Sequence, residues 1–113
     1  MTLALAACGH EAAPKAAVTV KLLAFSPSPV TVAHGTTITW TDAEPITHTV
    51  TSGAVTGVDA ATGLRTGQTA DGRFQGRLEG TGATFRHTFD EPGTYAYFCE
   101  IHLGMNATVV VTS

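Results

Sequence analysis

Glu91-Pro92-Gly93-Thr94-Tyr95-Ala96-Tyr97-Phe98-Cys99-Glu100-Ile101-His102-Leu103-Gly104-Met105 carries both the fold signal and the chemistry. Glu91-Pro92-Gly93 has tight-turn chemistry, because Pro presets one dihedral and Gly accepts a positive one. Thr94 to Cys99 then alternates, with Tyr95, Tyr97 and Cys99 on one face and Ala96 and Phe98 on the other. That period of two predicts a strand. Glu100 to Met105 reads as a loop, and a last strand covers about Ala107 to Val111.

Toward the N-terminus the same pattern recurs. Phe85 to Phe89 alternates, and Thr36 to Trp40 sets Ile38 and Trp40 against Thr37, Thr39 and Thr41. Val18 to Leu22, Val30 to Val32 and His48 to Thr51 are further strands. They are separated by Phe25-Ser26-Pro27-Ser28-Pro29, by His34-Gly35 and by a loop through Pro45, since Pro cannot donate to a ladder. Gly53 to Gly82 is rich in Gly, Thr, Ala and Asp and reads as a long variable connection, with a short strand near Phe74 or a helical turn.

Seven to eight short strands without a convincing helix predict an all-β fold, a Greek-key β-sandwich. The 113 residues suit one domain, assigned to 17–113, and a monomer is expected. At 43% apolar and 13% charged, the chain is too apolar and too weakly charged for disorder. A net charge of −3 with six Lys and Arg excludes a nucleic-acid partner, which would demand a basic patch. No apolar run approaches the ~20 residues of a membrane span.

Cys99, His102 and Met105 follow the spacing Cys-x-x-His-x-x-Met at a strand end, and His48 opens a strand about fifty residues earlier. One thiolate, two imidazoles and a thioether make a soft nitrogen–sulfur donor set. Copper suits it, because Cu(I) favours sulfur, Cu(II) favours imidazole, and a His₂Cys plane with a distant Met is the blue-copper arrangement. Strand neighbours in a Greek key lie far apart in sequence, so His48 can reach Cys99. The expected metal ligands are therefore His48, Cys99, His102 and Met105, around one copper ion. His10, His34 and His87 have no such context, and His87 is expected to pack between Phe85 and Phe89. No His-x-His pair marks a second copper centre, and no catalytic residue is assigned, so the chain is not expected to be an enzyme.

The two ligand segments resemble those of the cupredoxins, the small blue-copper proteins of the plastocyanin and amicyanin group. Trp40-Thr41-Asp42 leading to His48-Thr49-Val50 is similar to the segment bearing that family's first His ligand. Glu91 to Cys99 is similar to its approach to the Cys ligand, and the short Cys-x-x-His-x-x-Met loop is like that of amicyanin. The chain departs from the pattern at Thr49, where those proteins typically carry Asn. The resemblance covers about residues 17–112. It implies a type 1 copper and single-electron transfer between a donor and an acceptor redox protein. A copper-binding module that stores or delivers the metal is the alternative. Phe98 is expected to face outward as an electron exit. Ile101, Leu103 and Phe74 are expected to rim His102 as an apolar docking patch.

Leu5-Ala6-Ala7-Cys8 resembles the bacterial lipobox, in which the Cys thiol is lipidated after cleavage. Residues 10–16 are small, polar and interrupted by Pro14, as a tether would be. Residues 1–16 are accordingly read as a signal remnant and tether. They imply an extracytoplasmic protein attached to the membrane through lipid on Cys8.

Overall fold

A computed structural model describes residues 14–113, so Cys8 and the lipobox-like stretch that precedes it lie outside the described residues. Among the described residues nine strands form two sheets: β1 (Lys15–Lys21), β2 (Ala24–Ser26), β3 (Val30–Ala33), β4 (Thr36–Asp42), β5 (Thr47–Val58), β6 (Arg65–Glu79), β7 (Thr84–Phe89), β8 (Gly93–Phe98) and β9 (Asn106–Thr112). One sheet runs β2-β1-β4-β7 and the other β3-β9-β8-β5-β6. The fold is an all-β sandwich, with no helix among the described residues. Pairing is antiparallel except for β1 with β4 and β3 with β9.

The alternation read from sequence survives as burial. Along β4, Thr36, Ile38, Trp40 and Asp42 are buried while Thr37, Thr39 and Thr41 are half-buried. Trp40 lies at the centre of the core. It stacks on Phe74 at 5.9 Å, meets Tyr97 edge-on at 5.5 Å and tilts against Phe89 at 6.3 Å. Offset and edge contacts of this kind add to the burial of apolar area. Burial also pushes the Tyr97 phenol up to about 12, because the phenolate would lose its water.

The expected variable connection at 53–82 is instead a long hairpin. β5 and β6 pair from Thr47↔Glu79 to Val58↔Arg65, with register shifts along the way. Its Gly, Thr and Asp content hid it, because two strands reaching past the core have no apolar face to alternate. Gly53 is the departure point: its φ is +148°, and a Cβ there would lie 2.1 Å from the Thr69 carbonyl oxygen.

Two further expectations change. Phe74 is not near His102. It is buried in the core, with the His87 ring 4.9 Å from its own. Phe98 does not face solvent. It is 1% exposed, with the Arg65 guanidinium over its ring at 4.9 Å. Alternation correctly set it opposite Tyr97, but the β5–β6 hairpin covers that face.

Candidate metal centre

Two backbone features bring the distant segments together. β5 pairs with β8 through Thr51↔Phe98 and Ser52↔Tyr97, and continuing that register sets Thr49 beside Glu100, next to Cys99. The loop after Cys99 then folds back on itself. The Cys99 N–H donates to the Met105 carbonyl at 3.1 Å, and the Met105 N–H donates to the His102 carbonyl at 3.1 Å.

His48, Cys99 and His102 consequently offer ligand atoms that all lie within 4.8 Å of one another. The two imidazole rings are 4.8 Å apart, and Cys99 Sγ is 3.4 Å from His102 Nδ1. His48 and Cys99 are fully buried, Met105 is buried at the loop's end, and His102 alone is partly exposed. The sequence-derived residues are thus brought to one rim of the sandwich. His34 and His87 stand apart from them, outside the three-residue cluster.

The polar groups around these residues fix their orientation. His48 Nε2 is 2.7 Å from Glu44 Oε2. A carboxylate only accepts, so Nε2 carries the proton and Nδ1 the lone pair. That Nδ1 is buried, with no hydrogen-bond partner among the described residues. Glu44 also accepts from the Leu22 N–H at 3.0 Å and the Leu23 N–H at 3.4 Å. Burial alone works to raise the Glu44 carboxyl. The hydrogen bonds from Leu22, His48 and Leu23 outweigh it, so the group titrates below its ordinary value. Burial, followed by the neighbouring His48, pushes His102 below the usual imidazole range, against the opposing pull of Glu44.

Thr49 ties the two segments together. Its N–H donates to Cys99 Sγ at 3.4 Å, and its hydroxyl accepts from the Glu100 N–H at 2.8 Å. A thiolate with such a donor is held in place and its charge is partly offset.

An orphaned buried imidazole nitrogen, a buried thiol and a second imidazole fit a copper ion: the unpartnered Nδ1 is a cost that a metal bond removes. Glu44, Arg65 and Leu64 are parts of this region that the sequence reading missed. Glu44 stood four residues before His48 as an unexamined signal. Arg65 and Leu64 carried none, because their approach depends on the hairpin.

The chain matches the copper binding proteins of the plastocyanin/azurin family over residues 12–112. It is 34% identical over 103 residues to the plastocyanin of Scenedesmus fuscus, covering 83% of this chain and 98% of that one. It is 30% identical over 115 residues to amicyanin-alpha of Methylorubrum extorquens, covering 97% and 87%. Among solved structures it is similar to a purple cupredoxin from Nitrosopumilus maritimus. That likeness has a TM-score of 0.67 at 25% identity over 86% of this chain and 99% of that one. The protein belongs to the cupredoxins, the copper-binding plastocyanin/azurin family.

Proposed function

We propose that this chain is a single-electron carrier, not an enzyme, with His48, Cys99, His102 and Met105 as its copper ligands. The observation that carries the reading is the buried, unpartnered Nδ1 of His48 gathered with Cys99 and His102. Copper, when bound, supplies the one-electron Cu(II)/Cu(I) couple. The protein supplies a fixed donor geometry. Glu44 orients His48, the Thr49 N–H holds the Cys99 sulfur, and the folded-back loop sets His102 and Met105. Donors held this way need little rearrangement when charge changes, which suits a carrier.

His102 is the electron port. It is the partly exposed member of the set, and Leu23, Leu64, Ile101, Leu103 and Gly104 surround it in a shallow apolar cavity of about 390 Å³. Leu23, Leu64, Ile101 and Leu103 are each more than 40% exposed. A small apolar patch favours brief encounters with donor and acceptor proteins, because weak redox complexes bury little area. The rim read from sequence keeps Ile101 and Leu103 but takes Leu64 and Leu23 in place of Phe74. The reading includes a monomer outside the cytoplasm, with lipid on Cys8 and a leader remnant and tether that end before β1, two residues short of the boundary read from sequence, because Lys15 and Ala16 already pair with Thr37 and Ile38.

The test is a visible spectrum after Cu(II) addition, with voltammetry. An intense thiolate-to-copper band, reversible reduction and loss of the band in Cys99→Ser support the carrier. A colourless protein that binds only Cu(I) and passes it readily to a chelator would favour copper delivery instead.

A further inference from the structure

Arg65, the first residue of β6, is 2% exposed and points under the ligand loop. Its guanidinium has five N–H donors in a rigid plane, and every nitrogen is engaged. Nη2 donates to the Cys99 carbonyl at 2.5 Å. Nη1 faces the Met105 carbonyl at 3.0 Å, the His102 carbonyl at 3.3 Å and Asn106 Oδ1 at 2.8 Å. Nε donates to Gln68 Oε1 at 2.6 Å. The main-chain N–H of Arg65 adds a bond to the Leu103 carbonyl at 3.0 Å. One residue therefore binds the carbonyls of Cys99, His102, Leu103 and Met105, which include the three ligands of the loop.

No carboxylate pairs with this buried cation among the described residues. A surface ion pair would not require such burial, and a buried charge is costly unless its donors are all satisfied. Here the acceptors are three carbonyls of the ligand loop, together with Asn106 Oδ1 and Gln68 Oε1. The hairpin end is itself built to deliver Arg65. Asp59 accepts from the Ala61 and Thr62 N–H groups at 2.8 and 3.0 Å, and the Asp59 N–H donates to the Leu64 carbonyl at 2.9 Å. Arg65 then pairs with Val58 across the ladder.

We propose that Arg65 is a positioning residue that clamps the Cys99–Met105 loop in its ligand-holding shape before metal binds, and that the end of the β5–β6 hairpin serves to place it. This rests on the copper-site reading above. Two loop amides report on the clamp without any copper. The Cys99 and Met105 N–H groups donate to the carbonyls of Met105 and His102, the same carbonyls that Arg65 grips.

The experiment is amide hydrogen exchange on the full chain, with and without copper, for the wild type, Arg65→Lys and Arg65→Gln. Lys keeps the charge but not the planar fork. In the metal-free chain both variants should exchange the Cys99 and Met105 amides at least about tenfold faster, with the Val20 and Ile38 amides unchanged. Copper should restore protection, and the variants should yield copper to a chelator about tenfold faster than the wild type. Unchanged loop protection overturns the proposal, as does a uniform loss across the core or full rescue by Lys. If neither variant folds, Asn106→Ala decides, since it removes one acceptor at an exposed residue. Faster Met105 exchange supports the clamp and unchanged exchange overturns it. Because the metal-free readout needs no bound copper, loss of the copper reading and loss of the clamp remain distinguishable.

Discussion

Glu44→Gln is a sharp perturbation of the metal centre because it changes one atom's hydrogen-bonding character and almost nothing in shape. In the native arrangement both carboxylate oxygens only accept: Oε1 from Leu22, and Oε2 from His48 Nε2 and Leu23. An amide has one accepting oxygen and one donating NH₂. If the oxygen faces His48, the NH₂ opposes the Leu22 N–H and that bond is lost. If the amide flips, its NH₂ faces Nε2 and favours the tautomer that carries the proton on Nδ1, the atom needed for copper. Either way a partner that fixes ligand orientation is weakened, and losses of this kind cost about 10–100-fold in metal affinity. The loss should be larger for Cu(II) than for Cu(I), because a negative charge beside the site favours the more positive ion. The reduction potential should therefore rise. Competition titrations with chromophoric chelators for each oxidation state, together with voltammetry, measure both effects. Affinities within about twofold of the wild type in both states, in a folded variant, would refute the reasoning.

Leu103→Asp puts a charge on the exposed rim of His102 without touching a ligand. Electron self-exchange should fall roughly tenfold at low salt and partly recover as salt screens the repulsion, with the visible spectrum intact. His87 is half-buried against Phe74 and Phe89, and burial pushes it below the ordinary imidazole range, against a smaller pull from Asp90. A depressed histidine binds fewer protons folded than unfolded. Its contribution is therefore whole above the unfolded value near 6.5 and is lost as pH falls toward the lower folded value. Denaturant unfolding between pH 7.5 and 5.5 should show the wild type losing more stability than His87→Gln; parallel curves would contradict this. Gly76→Ala should destabilise by about 1–3 kcal/mol through overpacking. A Cβ there would lie 2.2 Å from Phe85 Cδ1, in a ring already tilted against Trp40 at 5.6 Å. Chemical denaturation measures it, and an unchanged midpoint would count against the close approach.

Local patterns in the chain were legible wherever one side chain face is dry and the other wet. Thr36 to Asp42 showed its inward Ile38 and Trp40 in the bare alternation, and the structure buries both. The loop donors proposed as ligands were equally easy to pick out, because Cys99, His102 and Met105 are close in sequence and their residue types suit soft-metal chemistry. The β5–β6 hairpin was not legible. Beyond Gly53 its strands leave the core and lose the apolar period that marks a strand. Phe98 misled for a related reason: alternation assigns a face but not what covers it.

What the sequence alone determined was the sandwich class, the donor types and the spacing of the loop, since these rest on contacts within a few residues. Tertiary structure decided the rest. It set Thr49 beside Glu100, turned Glu44 onto His48 Nε2 and brought Arg65 beneath four carbonyls of the ligand loop. Those choices depend on strand register and on a buried cation finding acceptors more than thirty residues away, which no local pattern encodes.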